Sequence, residues 1–182
     1  MWDGRVWSAI VLTACGIASG PIALADVSSA GAGGFITKNS VLLTASPAEA
    51  YARFLEVGRW WNPLHTYSGD AKNLRLPPRA GDCFCESLPG NGSVAHMFVV
   101  YVIPNKSVRL QGGLGPLQQI GASGVLTISF EPAAQQTRVT FAYAVSGYMP
   151  GKGLGELAAP VDGVLLDQLQ RLKRYIENSK PD

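Results

Sequence analysis

Histidine, cysteine and charge are all scarce in this sequence, and each shortage closes off a class of function. Only two histidines occur, His65 and His96, with three cysteines, Cys15, Cys83 and Cys85. They do not provide four ligands at the usual spacing, so no metal centre is expected. No nucleophile elbow, zinc-protease signature or triad spacing appears. Gly112-Gly113-Leu114-Gly115-Pro116 and Gly151-Lys152-Gly153 lack the pattern of a phosphate loop, so no cofactor is called for. Charged residues make up 15% of the chain, and 15 basic against 13 acidic side chains leave +2 with no basic run. Such a balance gives no reason to expect nucleic acid or an acidic membrane as partner. Long apolar runs are absent beyond the N-terminus, so no transmembrane span is expected once that segment is removed.

What is present suits one globular domain, with 47% apolar residues in 182. The first 25 residues stand apart. An apolar, small-residue run over 6–24 ends in Ala23-Leu24-Ala25, the small-x-small cleavage pattern of a secretory signal. A second route is open, because Leu12-Thr13-Ala14-Cys15 resembles a bacterial lipobox, which would anchor the chain by a lipid on Cys15. Either route places the mature protein in the periplasm or outside the cell. There Cys83 and Cys85 meet oxidising conditions. Two positions apart on an extended strand they could be bridged only at a bulge or turn, so the expectation is two small apolar side chains on one sheet face.

Residues 26–34, rich in Ser, Ala and Gly, read as a flexible leader. A strand is predicted over 35–44. Ser46-Pro47-Ala48-Glu49 is a helix start, with Ser46 as cap and Pro47 in the first turn, and Gly58 is expected to end that helix. Trp60-Trp61-Asn62-Pro63 follows, with one indole expected in the core and the other over a cavity mouth. Strands are then predicted over 72–76, 82–88, 93–103, 108–111, 124–130 and 137–145, separated by Gly- and Pro-rich turns. The chain ends in a helix over 156–178. Leu157, Val161, Leu165, Leu169, Leu172 and Ile176 fall on one face, with Asp162, Asp167, Arg171, Lys173, Arg174 and Glu177 opposite. A helix with one apolar stripe needs a partner surface, and the strands upstream supply it. The fold class expected is α+β, a curved antiparallel sheet wrapped around the long C-terminal helix.

The order strand, short helices, antiparallel strands and long helix resembles the START-like, helix-grip superfamily, also called polyketide cyclase/dehydrase and lipid transport. The motifs look most like its Hsp90-ATPase-activator-homologue branch. They are Ser46-Pro47, Trp60-Trp61-x-Pro63, Gly81-Asp82-x-Phe84, Phe130-Glu131-Pro132 before Thr137-Arg138-Val139-Thr140, and Leu165-x-x-x-Leu169. Asp82 replaces the glycine usual there. The resemblance spans 35–178 and implies a cavity between sheet and C-terminal helix. Trp61, Phe98, Leu126, Ile128, Phe141, Tyr143, Met149, Leu157 and Val161 are its expected lining, and a small hydrophobic molecule its expected occupant. His65, Glu86, His96, Arg109, Gln111, Tyr143 and Asp162 are the polar candidates, with His96, Glu86 and Tyr143 favoured if the cavity is catalytic. A cyclase, dehydratase or hydrolase activity is the alternative to binding alone. A co-chaperone role, as the branch's name implies, sits badly with export. Nothing in the sequence fixes an oligomeric state.

Overall fold

The computed structural model describes residues 27–182. The expected signal segment, with Cys15 in its lipobox-like run, lies outside the described residues. Eight antiparallel strands form one sheet in the order β1-β2-β8-β7-β6-β5-β4-β3. They are β1 (Val27–Gly31), β2 (Gly34–Leu43), β3 (Leu74–Arg75), β4 (Cys83–Ser87), β5 (Ser93–Ile103), β6 (Ser107–Gly112), β7 (Ala122–Ala133) and β8 (Gln136–Gly147). Helices α1 (Pro47–Leu55) and α2 (Val57–Trp60) fill the long connection from β2 to β3, and α3 (Ala158–Asn178) closes the chain against the inner face. This is the helix-grip arrangement.

Local chemistry explains most of these boundaries. Ser46 Oγ accepts from the Glu49 N–H at 3.2 Å and Pro47 occupies the first turn, so α1 starts where the capping signal lies. Its buried face is Ala50, Tyr51 and Phe54. Pro160 lies in the first turn of α3, where its missing N–H costs nothing, so it marks a start and not a kink. Leu165, Leu169 and Leu172 are fully buried, each contributing about 2 kcal/mol by removal from water.

Several expectations need correction. Residues 27–31 are not a loose leader: they add β1 to the sheet edge, Gly31 opposite Gly34 across a two-residue turn. Gly58 does not end α1. It lies inside α2, where a Cβ would come within 3.0 Å of the Ala71 carbonyl oxygen, so the missing side chain permits close approach. Asp162 and Arg171, placed opposite the apolar stripe of α3, are buried, Asp162 against β2 and Arg171 against α2. Arg171 Nε accordingly donates to the Trp60 carbonyl at 3.0 Å, and Asn39 Nδ2 donates to Asp162 Oδ1 at 2.7 Å.

Cysteines 83 and 85 are disulfide-bonded, against the expectation of two separate apolar side chains. The required bulge is present: Phe84 pairs with Met97 but Cys85 with Ala95, leaving His96 without a partner on β4. The two Cys Cα atoms are 5.3 Å apart, against about 6.6 Å for a flat strand.

Candidate functional site

That bulge sets the geometry of the site. Strict alternation along β5 would put His96 and Phe98 on one face. With an extra residue at the bulge, His96, Met97 and Val99 are buried and Phe98 turns outward, 53% exposed. His96 is thus delivered inward, as expected, while Phe98 is removed from the cavity lining.

The inward pocket has a volume of about 450 Å³. It opens between the loop after α2, the loop from β6 to β7 and the first turns of α3. Trp61, Leu157 and Val161 line it as expected. Leu126, Ile128, Phe141 and Tyr143 do not: they are buried within the core beneath it. Met149 packs against that core, half-buried, and takes no part in the lining. Loop residues that periodicity could not reveal complete the wall, above all Leu64, Tyr67, Leu114 and Leu117. The two Trp side chains divide as expected. Trp60 is wholly buried, its Nε1 donating to the Phe54 carbonyl at 3.0 Å, and Trp61 borders the pocket with its Nε1 on the His65 carbonyl at 3.0 Å.

The chain's only two histidines both line this pocket. His96 Nε2 stands 3.0 Å from Glu86 Oε2, and neither side chain is more than 5% exposed. The Tyr67 N–H also donates to Oε2, at 3.0 Å, and the Ser68 N–H donates to Oε1. Burial works to raise the Glu86 pKa, but the bonds from Ser68, Tyr67 and His96 outweigh it and hold the carboxyl below its usual 4.5. Burial pushes the His96 pKa below 6.5, with Glu86 opposing. At neutral pH the pair is therefore a carboxylate and a neutral imidazole. An ionised carboxylate only accepts, so the imidazole proton resides on Nε2 and Nδ1 keeps its lone pair. The ring is stacked among aromatics, 5.0 Å from Phe84 and 5.8 Å from Tyr67 between centroids.

His65 is held from the other side. Asn62 N–H donates to Gln168 Oε1 at 2.8 Å, which fixes the amide's orientation, and Gln168 Nε2 lies 2.8 Å from His65 Nδ1. Asp167 borders the same ring, 3.9 Å from Nδ1. Buried Gln168 thus ties the loop after α2 to α3.

Other polar candidates lie elsewhere. Tyr143 donates to the Gly112 carbonyl at 2.9 Å and accepts from the Leu114 N–H at 3.3 Å. Burial raises its pKa to about 12, and the side chain anchors the β6–β7 loop instead of facing a ligand. Arg109 and Gln111 are exposed on the convex face, Arg109 lying over the Tyr101 ring at 4.9 Å. Asp162 faces β2. A second, open groove of about 530 Å³ on the convex face, lined by residues such as Ile36, Ser123 and Val125, has no titratable side chain. The inner pocket is where the chemistry collects.

Residues 35–177 match the model of the family described as polyketide cyclase / dehydrase and lipid transport. The chain belongs to that family. The polyketide cyclase/dehydrase and lipid transport fold recurs in solved structures of low identity, which shows the fold alone. The solution structure of the Aha1 dimer from Colwellia psychrerythraea is 21% identical, with a TM-score of 0.56 over 80% of this chain and 98% of that one. DynU16, a protein in the dynemicin biosynthetic locus, is 20% identical with a TM-score of 0.57, over 80% of this chain and 48% of that one. CalU16 from Micromonospora echinospora is 12% identical with a TM-score of 0.57, over 88% and 86%. No curated protein matches the sequence. Family membership agrees with the superfamily resemblance read from the motifs, and it suggests hydrophobic ligand binding or a cyclase-like role.

Proposed function

We propose that this is an exported protein that binds a small hydrophobic molecule in the pocket between the sheet and α3. The observation that carries the reading is the pocket itself. It has the volume of a small-molecule site, walls of Trp, Phe, Leu and Val, and a few polar groups held by their own partners. A ligand buried there gains about 25 cal/mol for each Å² of apolar surface withdrawn from water. Export is supported by the apolar run before Ala25 and by the Cys83–Cys85 bond, since disulfides persist in oxidising compartments. Native mass spectrometry of protein purified from the exported fraction, with organic extraction, tests this reading. A co-purifying lipid, polyketide or aromatic metabolite is the expected result. A clean apo mass that does not shift with apolar probes would count against it.

The Glu86–His96 pair favours one second reading, an enzyme acting on the molecule the pocket holds. An oriented, neutral imidazole with a free lone pair can take a proton from a bound O–H or acidic C–H, the carboxylate then stabilising the imidazolium. His96→Gln separates the two. A carrier keeps its affinity within a few fold, whereas an enzyme loses turnover by orders of magnitude.

A further inference from the structure

The two imidazoles in the pocket offer their ligand opposite hydrogen-bonding characters, although both carry the proton on the same ring atom. Glu86 is acceptor-only toward His96, so Nε2–H points to the carboxylate and Nδ1, which has no partner among the described residues, is an acceptor. Gln168 Nε2 is donor-only toward His65, because Gln168 Oε1 is already committed to the Asn62 N–H. His65 Nδ1 must therefore accept, which leaves Nε2–H as a donor, again with no partner among the described residues. In each case a side chain outside the imidazole fixes the tautomer, and neither choice is left to the ligand.

We infer that the ligand is an apolar, ring-sized molecule carrying two polar groups. One is a hydroxyl that donates to His96 Nδ1 and the other a carbonyl that accepts from His65 Nε2–H. This rests on the pocket being a ligand site and adds the ligand's chemical class. A pure hydrocarbon would strip water from both imidazoles without replacing their hydrogen bonds, which costs affinity. A hydroxy-ketone or hydroxy-aldehyde on an aromatic or alicyclic frame satisfies both. A carboxylate matches only half of the pair, since it can accept from His65 but has no hydrogen to give His96.

The test uses four probes of one shape: naphthalene, a naphthol, an acetylnaphthalene and a hydroxyacetylnaphthalene with its groups on opposite rings. They are titrated into the wild-type protein. Each polar group should tighten binding by roughly two- to tenfold, the hydroxyacetylnaphthalene binding best. His96→Phe, which keeps an aromatic ring beside Phe84, should erase the gain from the hydroxyl and keep the gain from the carbonyl. His65→Phe should do the reverse. Long-range proton–nitrogen correlation spectra of the wild type give a readout that needs no variant, with the imidazole proton expected on Nε2 and not on Nδ1 in each ring. A His96 proton found on Nδ1 would overturn the inference. So would equal affinity for all four probes, which leaves the hydrophobic pocket standing. Absence of saturable binding by any probe would bring down the pocket reading as well.

Discussion

Toward α1, the space between sheet and α3 is packed with rings: Phe54 lies 5.9 Å from Trp60, 5.6 Å from Phe130 and 6.2 Å from Phe141. At the other end Trp61 and Phe84, 5.2 Å apart, stand beside His96, and the small side chain of Val161 leaves the volume unfilled. One sheet and one helix build both. The difference comes from side-chain size along the inner face and from loops that stop short of covering the second end. Cavity and core are thus two uses of the same stripe, and several residues expected around the cavity belong to the core instead.

Substitutions can break that comparison at either end. Phe141→Ala, at the filled end, should cost about 3–5 kcal/mol in urea unfolding, because packed neighbours cannot collapse onto the void. A cost under about 1 kcal/mol would mean that this end is loose too. Next in size is loss of the Cys83–Cys85 bond. By chain entropy so short a loop contributes about 1.5 kcal/mol. Because the bond lies at the bulge that turns His96 inward, Cys83→Ser with Cys85→Ser should also weaken probe binding, read by the same titration. Unchanged affinity would show that the bulge holds itself.

Acidification should weaken the open end first. His96 and Glu86 both have pKa values below those of the unfolded chain, 6.5 and 4.5, so the unfolded state takes up protons more readily. Their contribution is whole above 6.5, declines as His96 is driven toward protonation below it, and declines again as Glu86 follows below 4.5. The urea midpoint should trace the first step as pH falls below 6.5 and the second as it falls below 4.5. His96→Gln should abolish the upper one. At the small end of the scale, Arg109→Ala on the convex face should change stability and binding by no more than about 0.5 kcal/mol. A larger effect would assign the outer face a role.

Regular elements were readable because their signals are local and periodic. Ser46-Pro47 placed a cap, alternation placed β7 and β8, and the strand predicted over 93–103 is β5 to the residue. The site was readable only in part. His96, Trp61, Leu157 and Val161 border the pocket, with Glu86 bonded behind His96, but Phe98 was misplaced because the bulge at His96 turns Met97 and Val99 inward until a second register shift between Val99 and Tyr101. Leu64, Tyr67 and Leu117 were missed because loops have no period. The Ser- and Gly-rich β1 was missed because it joins the sheet through backbone bonds that composition does not announce.

The central claim is that the volume beside Val161 is open and takes an apolar ligand. It is tested most directly by fluorescence titration of a naphthalene probe into the wild type and into Val161→Trp. Saturable one-to-one binding by the wild type, reduced at least tenfold in a Val161→Trp protein whose urea unfolding free energy is unchanged to within about 1 kcal/mol, is the predicted result. Equal binding by both proteins would contradict it, since an indole at that position cannot share the pocket with a ring-sized ligand.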